Sequence, residues 1–465
     1  MMFLDIDKKE GDRIAIVDDS GNKANYKDLQ EFSKTFSEVV PKRTIIFILA
    51  ENSYPALASV LASISNRIVP LLLSANINQS LLDNLIKIYQ PEYIWVPKYN
   101  YLAETNKFCF EFLNYGLIRT KYSTPKLNEN LSMLIPTSGS TGSSKLVRHS
   151  YENLSFSAEN VARFFDLDKN EKGIALLPLH YTMGLSVITS HLYAGATVLL
   201  TESALTEKRF WDFIKENQAS SFTGVPFSFE ILNKLRFFRM DLPHLKTISQ
   251  GGGRLRDSLF ADFADYAKRT GKRFIATYGQ TEGTARMAFL PPELAITKTG
   301  SIGNAIPNGR LAIIDQDDKE ITQSEATGEM VYYGKNVTMG YAEHLDDLLK
   351  GDERKGFLKT GDLVKRDKDN CYYIVGRLSR FLKLYGLRVS LDEIESMVKN
   401  EFNIECVCTG SDEKMIIYMT QSDNVQVIKN FIIQQTGIFP HAIEVKIINK
   451  IPRNESGKIL YNELN

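Results

Sequence analysis

Short apolar runs alternate with amphipathic stretches along most of this chain, and that rhythm restricts the fold more than any other feature. "TIIFILAE" (44–51) reads as a buried strand, and a helix follows at "SYPALASVLASISN". "IVPLLLSA" (68–75) is a second strand, "NQSLLDNLIKIY" a helix behind an Asn cap, and "YIWVPK" a third strand. The pattern recurs in "GIALLPL", "GATVLLTE", "KTISQGGG" and "RFIATYGQ". Strand–helix–strand alternation predicts a parallel sheet covered by helices, the α/β class. Several runs end directly in Gly, Ser or Thr. In open parallel sheets, ligands lie beyond the carboxyl ends of the strands, where such loops sit.

From about residue 311 the character changes. "RLAIIDQDDKEI" and "GEMVYYGKN" predict antiparallel strands with acidic turns, a small β-barrel-like part. "FLKTGDLVKRDKDNCYYIVGRLSRF" reads as strand–turn–strand with its turn at "RDKDN". After Arg377 comes a small α+β segment: helix "SLDEIESMVKN", strands "ECVCTG" and "KMIIYMT", helix "NVQVIKNFIIQQT" and strand "AIEVKIIN". The division expected is therefore 1–376 for a large N-terminal unit and 377–465 for a small C-terminal α+β unit. The charged stretch at 376–380 would be a swivel. At roughly 150 residues per domain, 465 residues suggest two to four folding units.

Lys+Arg 56 equals Asp+Glu 56. That balance argues against a dedicated nucleic-acid or anionic-membrane surface, which would carry a basic excess. Cys109, Cys371, Cys406 and Cys408 fit no zinc framework, and alternation in "IECVCTG" makes Cys406 and Cys408 core thiols. The N-terminus turns charged too early for a signal peptide, and no apolar run approaches the roughly 18 residues of a membrane helix. A cytoplasmic protein is expected.

Residues 137–145 read "TSGSTGSSK", with no acid anywhere between Asn130 and Tyr151. Glycines let backbone N–H groups converge on a polyanion, hydroxyls add donors, and Lys145 supplies charge. The local alternative is a solvated linker, which the tight apolar flanks disfavour. The loop is not a Walker A motif: Gly139 and Gly142 are too close, and two serines separate Gly142 from Lys145. P-loop kinases and NTPases are disfavoured accordingly.

The loop has company. "ATYGQTEG" (276–283), "KTGD" (359–362), "GRLSRFLKLYGLRVSLDEIE" (376–395) and "IPRNESGKIL" (451–460) follow in that order. Together the five segments resemble the adenylate-forming superfamily, which includes acyl- and aryl-CoA synthetases, adenylation domains of nonribosomal peptide synthetases and beetle luciferases. The resemblance runs from about residue 15 to the C-terminus. It implies that Thr137, Ser138, Gly139, Ser140, Thr141, Gly142 and Lys145 hold the β- and γ-phosphates of ATP. Tyr278, with Gly279, would stack on adenine, Thr281 would touch the α-phosphate, and Glu282 would bind Mg²⁺. Gly251, Gly252 and Gly253 in "QGGGRL" would border the adenine and the acyl pocket. Asp362 would accept from the ribose hydroxyls, with Arg377 beside it. Lys458 would be the catalytic lysine that contacts the substrate carboxylate and the α-phosphate. One departure stands out: the family usually has Asp or Lys at the pivot position occupied here by Ser379. "KLYGLR" (383–388) would be the loop that swings in for thioester formation, with Gly386 lining the thiol channel.

"LPLHYTMGLSVITSHLYAGATVLL" (177–200) resembles the acyl/aryl-CoA synthetase form of its region. The order His180-Tyr181 leaves open which of the two gates the acyl pocket. Met183, Gly184, Val225 and Pro226 are further expected walls. Amino-acid-activating relatives place an Asp here, and none occurs between Ile174 and Leu200. Arg286 lies four residues after Glu282 and has two readings: an ordinary structural pair, or a contact to a polar or second acidic group of the substrate. The resemblance implies an AMP-forming acid–thiol ligase using ATP, Mg²⁺ and CoA or phosphopantetheine. It would act on a small-molecule carboxylate, with a carrier protein as a candidate partner. The alternatives are an adenylation enzyme serving only a carrier protein or an amine, and a nucleotide-binding protein without turnover.

Overall fold

The computed structural model describes residues 2–136, 145–378, 380–384, 387–411, 413–436, 438–455 and 457–464. Two large mixed sheets dominate. The first has eight strands, and its centre is the parallel trio Ile45–Ala50, Val69–Ser74 and Tyr93–Pro97, with Leu131–Pro136 beside Val69–Ser74. The second has nine. Five parallel pairings run from Ile14–Asp18 across to Arg273–Tyr278, and antiparallel strands close both edges.

Between the sheets lie helices Tyr54–Ser65 and Thr182–Tyr193. Neither contains Asp, Glu, Lys or Arg, and every residue from Tyr54 to Ile64 and from Thr182 to Leu192 is buried. A helix without a polar face has to be enclosed, so these two occupy the middle layer. A single apolar core joins them to Ile46 and Ile48 of one sheet and Val198 and Leu200 of the other. Outer helices are amphipathic and capped as their sequences predict: Asn78 accepts from the Ser80 and Leu81 N–H groups, and Ser150 forms a reciprocal capping box with Asn153.

The part expected to be barrel-like is an open antiparallel sheet. Arg310–Ile314, Ala326–Tyr333, Phe357–Arg366 and Tyr372–Arg377 pair in that order, and the two outer strands do not pair with each other. Beyond it, the three-stranded sheet Cys406–Ser411, Lys414–Met419 and Ile443–Ile447 carries helices Leu391–Phe402 and Val425–Thr436. Leu382, Ile394, Val398, Cys406, Cys408, Ile417 and Ile428 pack together, and among the described residues none before 382 joins them. Of "KLYGLR", the described residues belong to two paired antiparallel strands, Phe381–Leu384 and Leu387–Ser390, held because Leu382, Leu384 and Val389 are buried in that core; Tyr385 and Gly386 lie outside the described residues. All four cysteines are free thiols. Among the described residues no helix is long and apolar enough to cross a membrane.

Candidate active site

The carboxyl ends of strands Thr247–Gln250 and Arg273–Tyr278 point into one narrow cavity, as the parallel-sheet rule requires. Gly252 and the run Gly279, Gln280 and Thr281 line it from the strand ends, Tyr181, Thr182 and Met183 from the start of the buried helix, and Lys458 from the small C-terminal unit. Two glycines are sterically required. A Cβ on Gly279 would lie 1.6 Å from the Ala285 carbonyl oxygen, and one on Gly252, at φ +76°, would lie 2.9 Å from the Tyr181 hydroxyl. Backbone thus reaches the cavity where side chains could not fit.

On one flank, Tyr278, Gln280, Asp362 and Arg377 form a network. The Tyr278 hydroxyl donates to the Asp362 carboxylate, Gln280 Nε2 donates to Asp362 Oδ2 at 3.0 Å, and Arg377 Nε donates to Asp362 Oδ1 at 2.9 Å. Asp362 is buried, and Arg377 sits opposite it because their strands are in register. Burial and the adjacent carboxylate hold the Tyr278 phenol well above its usual range, so it stays a neutral donor. Its ring is therefore fixed in orientation at the strand end.

On another flank, Tyr341 is a hub. Its hydroxyl donates to Glu282 Oε1 at 2.7 Å, while Lys145 Nζ lies 3.8 Å from the ring centroid on one face and Arg354 Cζ 4.5 Å from it. Lys145 also approaches Glu343 Oε1 at 3.7 Å. The end of the glycine-rich loop and the expected metal carboxylate are thereby linked through one aromatic side chain. Thr281 is buried beside them.

Lys458 arrives on a separate element, tied down by its neighbours. The Lys458 N–H donates to Asn454 Oδ1 at 2.9 Å. Glu455 accepts from the Ser74 hydroxyl at 2.8 and 3.0 Å and approaches His180 Nε2 at 3.3 Å. Lys458 Nζ stands 5.0 Å from the centre of the Tyr181 ring. Burial, reinforced by the Arg377 charge and opposed by Glu282, lowers its ammonium to about 8. Such a lysine still carries charge near neutrality but can respond to its surroundings.

A model of the AMP-binding enzyme family matches residues 5–342 of the chain. The chain belongs to the AMP-binding enzymes. Among curated relatives, 2-succinylbenzoate–CoA ligase of Geobacillus sp. (strain WCH70) is 27% identical over 352 residues, covering 72% of this chain and 69% of that protein. Luciferin 4-monooxygenase of Photuris pensylvanica is 24% identical over 370 residues, 75% of this chain and 66% of that one. The solved o-succinylbenzoate CoA synthetase of Bacillus subtilis, in complex with its acyl-adenylate intermediate, superposes with a TM-score of 0.79 at 20% identity, over 97% of this chain and 95% of that one. The last likeness concerns the fold.

In this AMP-binding enzyme the residues singled out from sequence fall into three groups. Tyr278, Thr281, Glu282, Asp362, Arg377, Lys145, Gly252, Gly279, Tyr181, Met183 and Lys458 surround the cavity or its two flanks. Others stand behind it. Gly251 packs against Thr277 and Met183, Val225 joins Tyr181 and Met183 in a small apolar cluster, Gly253 meets Pro226, and Gly184 packs on the carbonyls of Leu177 and Pro178. His180 faces Glu455, and Arg286 is wholly enclosed. The third group, Thr137, Ser138, Gly139, Ser140, Thr141, Gly142, Ser379 and Gly386, lies outside the described residues. Sequence reasoning passed over Gln280, Tyr341 and Glu455. Gln280 sits inside "YGQTE" and Glu455 three residues before Lys458, so position within a motif was their signal; Tyr341, in "MGYAE", offered none.

Proposed function

We propose that this AMP-binding enzyme joins a carboxylate to AMP and then hands the acyl group to a thiol. The observation that carries the reading is Lys458: a half-buried ammonium shares one cavity with the ends of the "GGG" and "YGQTE" strands. Names of the curated CoA ligases support the same chemistry. ATP fits the residues present, since Tyr278 offers a held ring and Asp362 a buried carboxylate for a sugar. Mg²⁺ fits too. Glu282 keeps an oxygen beyond the one bonded to Tyr341, and a hard cation of this kind takes one or two carboxylates plus phosphate oxygens. When bound, the cation would neutralise phosphate charge.

This chain's own residues do the rest. Thr281 and Lys145 would donate to phosphate oxygens, Asp362 would orient the ribose, and Lys458 would hold the attacking carboxylate oxygen against the α-phosphate. Positioning and fixed charge in a water-poor site supply most of the acceleration in such transfers. Carboxylate oxygen attacks phosphorus, and pyrophosphate leaves. A thiol then attacks the acyl carbon, and AMP leaves. We assign the first step to residues 1–376 with Lys458 docked, and the second to a rearrangement of residues 377–465 about Ser379 that withdraws Lys458 and brings in the segment 383–388 with Gly386. Free thiols throughout suit the cytoplasm.

Pyrophosphate release against a panel of carboxylic acids, with CoA, with a phosphopantetheinylated carrier protein or with neither, tests the reading. Acid-dependent release is expected, with AMP accumulating only when a thiol acceptor is present. Release that no acid stimulates would refute it. Turnover with the carrier protein alone would fix the acceptor.

A further inference from the structure

Arg286 is 1% exposed, and among the described residues no carboxylate pairs with its charge. Its Nε donates to the Ser186 hydroxyl at 3.1 Å, and its Nη1 donates to Thr277 Oγ1 at 2.9 Å and to Ser249 Oγ at 3.3 Å. Two of these three acceptors are fixed: Ser186 donates its own proton to the Met183 carbonyl at 2.8 Å, and Thr277 to the Gln250 carbonyl at 3.0 Å. They therefore present lone pairs to the guanidinium. One flat side leans on Phe165, 4.9 Å from Cζ to the ring centre. Nη2, with two N–H groups, has no partner among the described residues.

Neutral hydroxyls cannot offset a buried cation, and a buried pair of unused donors is costly. Evolution of a merely structural site would pair such a guanidinium with Asp or Glu, because a fork of this kind matches a carboxylate. Here the surrounding elements supply oxygens for three donors and stop. Burial accordingly lowers the guanidinium to about 9, with the Tyr181 phenol in opposition.

The place is equally pointed. Thr277, which holds Nη1, also lines the reaction cavity, and so does Ala285, the residue before Arg286. Ser186 lies one helical turn beyond Met183, another lining residue. Arg286 thus stands directly behind Thr277 and Ala285 in the wall of the cavity that Lys458 also lines. We infer that Arg286 reads a second carboxylate on the substrate, so that this enzyme activates a short dicarboxylic acid at the end held by Lys458 while Nη2 holds the other end. The inference rests on the carboxylate-activating reading above and narrows its substrate class.

The test compares matched acids in pyrophosphate release: succinate with butyrate, glutarate with valerate, and each diacid with its monomethyl ester. One charge-assisted pair is worth on the order of 10–100-fold here. The diacids are expected to exceed their partners by that factor in kcat/KM. Arg286→Met should remove the preference while leaving monoacid turnover within about threefold, and Arg286→Lys should keep part of it. A parallel melting series without ATP should show wild-type protein stabilised by diacids and not by monoacids. Equal use of monoacids, esters and diacids by the wild type overturns the inference even if Arg286→Met does not fold, and so does an unchanged ratio in that variant. If no acid is turned over, stabilisation by diacids alone would mean that the ligase reading fails and the subsite stands; absence of both overturns the subsite as well.

Discussion

Replacing Lys458 with Met separates what this lysine does for the reaction from what it does to the fold. Burial and the Arg377 charge, against Glu282, hold its ammonium at about 8 instead of 10.5. Roughly three-quarters of the molecules therefore carry the charge near pH 7.5. Removing one preorganised donor from a water-poor site costs about 10²–10³ in rate. Carboxylate-dependent ATP–pyrophosphate exchange in Lys458→Met should fall by that factor, while thioester formation from preformed acyl-AMP should change by less than about threefold. Stability should move the other way. The folded value lies below the unfolded one, so the unfolded chain holds this proton more tightly between about 8 and 10.5. The charge therefore costs stability in full below about 8, and the cost disappears as pH rises to 10.5. At pH 7 the Met variant should be the more stable protein, by on the order of 1 kcal/mol once solvent screening is allowed for. That advantage should shrink above about pH 8. Exchange assays and denaturant melts at pH 7 and 10 check both halves. Equal loss in both half-reactions would remove Lys458 from its role. A Met variant less stable than its parent at pH 7 would refute the electrostatic argument.

Two further changes probe the surroundings. Glu455→Ala deletes the contacts to Ser74 and His180 that seat the Lys458 segment, and should lower adenylation kcat/KM by about 5–20-fold; transfer from preformed acyl-AMP should persist, and a matching drop there would show a general folding defect instead. Tyr341→Phe removes the hydroxyl that holds Glu282 Oε1, and should raise the Mg²⁺ concentration for half-maximal activity by about 10-fold or more with little effect on KM for the acid. An unshifted Mg²⁺ titration would free Glu282 from that dependence.

The sequence displayed its fold where period alone decides structure. Alternating apolar runs and uncharged helices leave few arrangements other than two helix-covered sheets, and "RDKDN" could hardly be anything except a turn. It was mute where geometry depends on several distant elements. The paired strands 381–384 and 387–390 were not legible because their buried positions, Leu382, Leu384 and Val389, are few and their partner core comes later in the chain. Whether four antiparallel strands close into a barrel depends on edge pairing, which no local pattern encodes. Arg286 had two readings for the same reason: its three oxygen partners come from a helix and two strands, and only their convergence reveals that no carboxylate is among them.

How the two units meet bears on the two-step reading. Among the described residues, the apolar clusters beyond residue 380 take in no residue of the large sheets. Around Lys458 the described contacts are largely polar: Glu455 to Ser74 and His180, Lys399 Nζ to Glu230 Oε1 at 3.3 Å, and the Arg453 guanidinium over the half-exposed Phe227 ring at 5.0 Å, with Gly457 close to Val225 and Phe227. Contacts of this kind hold an orientation and can be exchanged with water at small net cost, whereas a shared apolar core cannot be opened without exposing it. A lysine delivered by such an interface can be withdrawn. Under the two-step reading proposed above, Glu455, His180 and Glu230 would be the residues whose contacts must exchange before the second reaction.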